Sequence, residues 1–478
     1  MIATWGGRHA SATPLRILPN PRRMDTLAWS VNGRDVSFRT SFDVPTEIGG
    51  YVVVHTPSGA RLLTQVHHRR AIDSANSARL IEGEGRVIRR LDCDEPVGAF
   101  DEGALNQAVA DDVADVALPA SADSVALRVG SLTTPAVPAG FRAAGFSRHT
   151  FLCGQSGSGK TYSMGVLLER VLLDTTLPMI IVDPNSDHVH LGRRRNGGVM
   201  ENGPVIVAGA DADVALRVHL SDLTIDEQAL TIALDPIRDA AEFSAFVHAI
   251  DAIGSVRYGM RDIARIVGAK TDEMNLRLAQ RIANLGVARW GVWANEGESS
   301  LVDIGANWRT LVLDVGSLDN DAERAVVSLA LLGFMRRRAQ KRSVLIVIDE
   351  AHNVCPPTSH SALGAQVTDY AVWIAGEGRK YGLHLLLATQ RPQKIHPNVL
   401  SQCDNLLLMK MNSRDDLREL ARVFSHVPEG MINESTSFTQ GEMLASGPIV
   451  RSPLRLQMGT RLTPEGGADL PTDWAKPQ

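Results

Sequence analysis

His149-Thr150-Phe151-Leu152-Cys153-Gly154-Gln155-Ser156-Gly157-Ser158-Gly159-Lys160-Thr161 is the stretch that decides the fold. Its last eight residues match G-x-x-x-x-G-K-[ST]. The glycines let the backbone fold tightly, so that several N–H groups converge on one point. A helix starting at the end of the loop adds the positive end of its dipole. Lys160 is placed to reach the β- and γ-phosphates, and the Thr161 hydroxyl to bind Mg²⁺. The flanks meet the mechanical requirement. An apolar strand, His149 to Cys153, leads into the loop, and a helical period from Ser163 to Leu173 follows it. Gly154, Gln155, Ser156, Gly157, Ser158, Gly159, Lys160, Thr161 and Tyr162 are therefore the expected nucleotide-binding set, with ATP and Mg²⁺ as cofactors.

The second half of such a site lies at Val344-Leu345-Ile346-Val347-Ile348-Asp349-Glu350. A continuous apolar run reads as a strand buried on both faces. Two acids at its end sit where α/β sheets place their ligands. Asp349 is the expected Mg²⁺ partner beside Thr161, and Glu350 the general base that polarises the attacking water. Leu383-His384-Leu385-Leu386-Leu387-Ala388-Thr389-Gln390 is a third buried run with a polar tip. There Gln390 either senses the γ-phosphate and orients the water or merely caps the strand. Gly376-Glu377-Gly378-Arg379-Lys380-Tyr381-Gly382 reads as a mobile loop with two cations. Either it reaches phosphate, with Arg379 acting on a neighbouring subunit, or it is a solvated basic turn.

Working outward, further apolar runs at Met179–Val182, Leu311–Leu313 and Leu406–Met409 alternate with helical periods, so the class is α/β with a RecA-like P-loop core. The stretch 222–293 carries no convincing strand and is expected to be a helical insertion. The core then occupies 141–221 and 294–462. Upstream, 29–140 is β-rich. Tyr51 to Thr56, Pro57-Ser58-Gly59 and Ala60 to Val66 form a hairpin pattern, Val125 to Val129 reads as another strand, and a small β-barrel is expected. Residues 1–28 form a loose start and 463–478 a tail. Just before the tail, Met443-Leu444-Ala445, Gly447-Pro448 and Ile449-Val450 read as a short hairpin.

Composition narrows the function classes. The chain has 478 residues, 44% hydrophobic and 22% charged, which excludes wholesale disorder. A net charge of -5 means that any nucleic-acid contact must come from local patches or a shared channel. Arg193-Arg194-Arg195, and Lys394 with His396, are candidates for such a channel, though a basic run is also what a solvated face looks like. Cys93, Cys153, Cys355 and Cys403 show no paired spacing, so neither a zinc site nor a disulfide framework is expected. The apolar stretch Val326 to Met335 is shorter than the ~20 residues of a membrane span and reads as a helix. Neither a membrane role nor a secretory signal is expected, and the expected location is the cytoplasm.

Taken together, these residues resemble the HerA-like ATPases of the FtsK–HerA branch of P-loop motors. The resemblance rests on Arg148-His149, Gly154 to Thr161, Ile181-Val182-Asp183-Pro184, Ile348 to Asn353, Glu377 to Gly382, Ala388 to Pro392 and Val399 to Cys403. It implies a hexameric ring that moves along double-stranded DNA as a translocase or helicase. The implied partner is a nuclease of the NurA type or, in antiviral defence systems, an effector such as a sirtuin-type enzyme. It also implies that Arg148, just before the first strand of the core, acts across the subunit boundary, with Arg379 a second candidate. Lys160, Thr161, Asp349, Glu350 and Gln390 carry over directly. Where many relatives have His-Gly-Glu, this chain has Asn185-Ser186-Asp187, and the role of that loop stays open. Two other readings compete: a conjugation or secretion motor, and a scaffold ring whose ATP site controls assembly of a partner enzyme.

Overall fold

The structure is a computed structural model describing residues 26–73, 79–119, 125–210, 212–254, 257–295, 297–304, 308–338 and 342–466. Most of the expected loose segment 1–28 and most of the tail 463–478 lie outside the described residues. The chain divides into two compact units, Met1–Ala108 and Val109–Gln478.

The first unit is a closed six-stranded antiparallel barrel. Its strands are β1 (Thr26–Ser30), β2 (Asp35–Thr40), β3 (Tyr51–His55), β4 (Arg61–Asp73), β5 (Arg79–Arg90) and β6 (Phe100–Gln107), in the order β1-β2-β5-β4-β3-β6. Alternation drives it. Inward positions such as Val36, Phe38, Val52, Val54, Leu62 and Val66 fill the core, and polar neighbours face out. The turn 57–59 closes the β3–β4 hairpin with Val54 opposite Leu62.

The second unit is built on one eleven-stranded sheet. Its strands are β7 (Ala126–Leu132), β8 (Pro138–Arg142), β9 (His149–Cys153), β10 (Met179–Asp183), β11 (Val205–Ala208), β12 (Thr310–Asp314), β13 (Val344–Ile348), β14 (Leu383–Thr389), β15 (Cys403–Leu408), β16 (Glu442–Ser446) and β17 (Leu454–Met458). They run in the order β11-β12-β10-β13-β14-β9-β15-β16-β17-β7-β8. The strands from β11 to β15 in that order are parallel, and β16, β17, β7 and β8 extend the sheet antiparallel. β9, β10, β13 and β14 are buried along their whole length, as continuous apolar runs in a parallel sheet require.

Two expectations about strands need correction. The β-rich segment 29–140 does not form one barrel. The barrel already begins at Thr26 and ends at Gln107, and the strand read at Val125 to Val129 belongs with β8 to the large sheet, where β7 pairs with β17. Ile449-Val450 is not the returning strand of the last hairpin. It lies in the connection, and β17 returns at Leu454–Met458. β11 escaped the sequence reading, as did β17.

The helices are α1 (Ala110–Ala117), α2 (Lys160–Asp174), α3 (Ile225–Thr231), α4 (Ala240–Ile253), α5 (Met260–Gly268), α6 (Glu273–Leu285), α7 (Asp321–Arg337) and α8 (Ala362–Glu377), followed after β14 by α9 (Pro397–Leu400), α10 (Arg414–Val423) and α11 (Glu429–Glu434). α3 to α6 form a helical cluster between β11 and β12. Glu227 of α3, almost fully buried, ties that cluster to the core by pairing with Arg337 of α7 at 2.8 Å and accepting the Tyr370 hydroxyl of α8. Among the described residues no helix is long and apolar enough to cross a membrane.

Candidate functional site

The parallel pairing sets the site. Thr389 lies opposite Cys153 and Ile348 opposite Leu387, so the ends of β9, β13 and β14 are brought level, with β10 beside β13. Everything that follows these ends converges there: the loop from Gly154, Asp349-Glu350, Gln390, and the turn after Asp183.

The loop is held from three sides. Gly157 at φ 77° and Gly159 at φ 87° take the left-handed conformation that lets the chain double back before α2 starts at Lys160. The Gln155 amide donates to Lys410 O and its side chain accepts from Asn412 N. Ser158 is fully buried behind the loop, and its carbonyl accepts Gly441 N at 2.9 Å. Gln155, Ser156, Gly157, Gly159, Lys160, Thr161 and Tyr162 line an open cavity of about 660 Å³, with Gln390 and Gln457 among the residues on its other walls.

Lys160, 5% exposed, donates to Asp349 Oδ1 at 2.5 Å and lies 3.4 Å from Glu350 Oε1. Burial works against its charge. The two carboxylates outweigh that and hold its pKa above the ordinary lysine value. The Gln390 amide donates to Glu350 Oε1 at 3.0 Å, so Gln390 touches the expected base rather than only ending a strand. His352 Nδ1 sits 3.3 Å from Glu350 Oε2 and 3.1 Å from Thr389 Oγ1, and burial lowers its pKa. Glu350 itself has φ 43° and ψ 49°, a left-handed conformation that costs a non-glycine residue about 1–2 kcal/mol. Strain of this size persists where the surroundings fix it, here Lys160, Gln390 and His352 around the carboxyl.

Asp349 fits a metal-bearing phosphate group. Its Oδ2 is buried with no hydrogen-bond partner, while Oδ1 holds Lys160 and the Glu350 amide. With Thr161 in the first turn of α2, it supplies the hard oxygen donors that Mg²⁺ prefers. No cluster of three or more His, Cys, Asp or Glu able to hold a metal alone occurs among the described residues.

Sequence reasoning left the role of the turn after β10 open and missed the last described segment. Asp183 accepts backbone N–H groups from Asn185, Asp187 and His188. Burial pushes its carboxyl up to about 7 against those three donors. Asp187 is pushed up to about 6, by burial first and by the nearby Asp349 second. His188, fully buried beside it, is held neutral, its pKa lowered by burial to about 3. Downstream, Arg461 has no exposed surface and donates to Asp187 O at 3.0 Å and Thr463 Oγ1 at 3.3 Å. Its backbone N–H donates to the Tyr162 hydroxyl, and Glu169 of α2 accepts from Leu462 N and Thr463 N. A buried glutamate in the middle of a helix with no lysine or arginine a turn away was the available signal.

Arg148 and Arg379 do not join this group. Arg148 Nη1 lies 3.2 Å from Asp404 Oδ2, and Arg379 Nη1 lies 3.8 Å from the same oxygen. These residues mark the opening edge of the sheet, separated from their own phosphate loop by the length of β9, about 16 Å for five residues. The expected mobile loop around Arg379 is also corrected. Gly376 and Glu377 end α8, Gly378 to Tyr381 form a 3-10 turn, and Lys380 is paired with Glu377. Next to Arg148, His149 is fully buried. It accepts Leu385 N on Nδ1 and so donates from Nε2 to Ala375 O, and burial lowers its pKa to about 4. Of the basic triplet, Arg195 is tied through Nε to Thr463 O.

With this geometry in place, comparison with known proteins is direct. A model of the family described as "Helicase HerA, central domain" matches residues 127–283. The DNA double-strand break repair helicase HerA of Sulfurisphaera tokodaii is 25% identical over 371 residues, 73% of each chain. The chain is an ATPase that resembles the HerA helicases. The HerA of Sulfolobus acidocaldarius is 21% identical, again over 73% of each chain. The solved structure of VirB4 of Thermoanaerobacter pseudethanolicus superposes on 71% of this chain and 97% of its own with a TM-score of 0.51 at 16% identity, a likeness of fold. The strand-end cluster is the candidate hydrolytic site of this ATPase.

Proposed function

We propose that this ATPase is a motor that moves along double-stranded DNA as a hexameric ring and serves a nuclease or other effector, in DNA end processing or antiviral defence. The observation that carries the reading is the division of the site. Lys160, Asp349, Glu350 and Gln390 meet at one edge of the sheet, while Arg148 and Arg379 wait together on Asp404 at the other. Guanidiniums so placed reach a γ-phosphate only on a neighbouring copy, and a repeated head-to-tail contact of that kind closes into a ring. Within one subunit, Glu350 takes the proton of the attacking water, Gln390 holds the Glu350 carboxyl in place, and Lys160 leaves Asp349 for the phosphates. Bound Mg²⁺ would supply charge neutralisation at the phosphates, held by Asp349 and Thr161. The relatives named above are helicases of double-strand break repair, which favours DNA as the track.

The test is steady-state ATP hydrolysis with and without linear duplex DNA, with Lys160→Ala as the blank. Stimulation by DNA supports the motor. Hydrolysis indifferent to DNA, in a complex with its co-purifying partner, would reject it in favour of the scaffold or secretion readings.

A further inference from the structure

The cavity beside the phosphate loop is chemically divided. Part of its lining is rich in donors: the loop amides, Lys160 and the start of α2. Another part comes from β17 and the segment after it, which offer the Gln457 amide, the Thr460 hydroxyl and the Glu465 carboxylate. A carboxylate repels a triphosphate and binds hydroxyl groups, so a ligand filling the cavity has its anionic part at the loop and a polyol at Glu465. That description fits a ribonucleoside triphosphate in one orientation.

The wall is built to hold position. Residues 459–466 form a strap across α2. Arg461 lies buried against Gly165, its amide is held by the Tyr162 hydroxyl, and Glu169 receives Leu462 and Thr463. On the far side of Glu465, the Gly466 amide donates to Asp187 O at 3.1 Å. Glu465 is thus exposed between two anchored points, Thr463 and Gly466, and a fixed acceptor loses little freedom on binding.

We propose that this strap is the nucleoside wall of the site, that Glu465 accepts hydrogen bonds from the ribose hydroxyls, and that Thr460 and Gln457 meet the base. The site therefore selects ribonucleotides over deoxyribonucleotides. This rests on the ATPase reading and deepens it.

The probes are the non-hydrolysable β,γ-imido analogue of ATP, its 2′-deoxy form, and inorganic tripolyphosphate, each titrated with Mg²⁺ into the full chain by calorimetry. Wild type should prefer the ribo form. Glu465→Ala should weaken it by about ten- to a hundredfold, as loss of a charged hydrogen bond predicts, erase the ribo/deoxy preference, and leave tripolyphosphate binding unchanged. Glu465→Gln should recover part of the loss, and Thr460→Val should weaken both nucleosides alike. Equal loss for tripolyphosphate, or no loss for the ribo form, overturns the proposal, as does a wild type indifferent to the ribose. Failure of wild type to bind any of the three would instead strike the ATPase reading itself.

Discussion

Replacing Gly165 by alanine sets two well-measured effects against each other. Gly165 sits inside α2, where alanine is favoured over glycine by about 1 kcal/mol. Helix propensity alone therefore predicts a more stable protein. The structure predicts the opposite. A Cβ at this position would stand 2.5 Å from Arg461 Nε, 2.6 Å from Cζ and 2.8 Å from Cδ. Arg461 has no exposed surface and donates to Asp187 O and Thr463 Oγ1, so it cannot swing into solvent. Overpacking costs about 1–3 kcal/mol, and loosening a hydrogen bond of a buried charged group adds about 1.5 or more. The net is about 2 kcal/mol of destabilisation. With an unfolding entropy near 2.1 cal/mol/K per residue over the unit Val109–Gln478, that is a fall in Tm of roughly 2–3 °C. Calorimetric melting without nucleotide reads it. The decisive companion is Arg461→Ala, in whose background Gly165→Ala has room and should become stabilising. A single Gly165→Ala variant that melts at or above wild type refutes the packing argument.

Four more expectations follow from the site. Glu350→Gln should keep nucleotide binding and lower turnover by about a hundredfold or more, as removal of a general base does; a variant within threefold of wild type in single-turnover hydrolysis would move the base elsewhere. Arg148→Ala should be inactive alone yet regain activity when mixed with Lys160→Ala, because each copy lends its neighbour the missing group; mixtures no better than their components exclude action between subunits. His149 titrates near 6.5 when unfolded but is lowered to about 4 in the fold, so the unfolded chain binds more protons between those values and stability should fall as pH drops from about 6.5 to 4. His149→Gln should lack this part of the slope in urea melts at stepped pH. Replacing Arg193 and Arg194 by alanine should flatten the salt dependence of DNA affinity by about one unit of slope per lost phosphate contact, and an unchanged slope removes them from the channel.

The phosphate loop and the acid-tipped strand were legible because their chemistry is local: a turn, a lysine and a helix start in eight residues, and a buried run that ends in carboxylates. The barrel hairpin was legible because the turn at 57–59 names both partners. What escaped was pairing over distance. The alternation in Ala126–Leu132 says strand but not which sheet, and its partner β17 lies more than three hundred residues on. β11 is four residues long and mostly half-buried, too short to stand out from the loop around it. Gly376 and Gly378 read as freedom, yet Gly378 has helical φ and ψ and packs against Ile374 and Leu383. Smallness, not flexibility, is what that glycine supplies. Arg461 could not be placed by sequence at all, since an arginine with no exposed surface contradicts every composition rule until Gly165 and Asp187 are known.

The strap also fixes when the enzyme can first exist. Groups that brace the phosphate loop and the helix after it, Gly441 and Arg461, are made long after the loop; Arg461 follows Tyr162 by 299 positions. At ribosomal speeds of about 5–20 residues per second, the interval is on the order of 15–60 s. During that time a nascent chain carries the Gly154–Thr161 loop without its brace, and the fully buried seat of Arg461 stands open. A chain broken off before the strap would own the phosphate motif and lack the finished site. With a fastening made some 299 positions after the helix it holds, nucleotide turnover waits on synthesis of the strap.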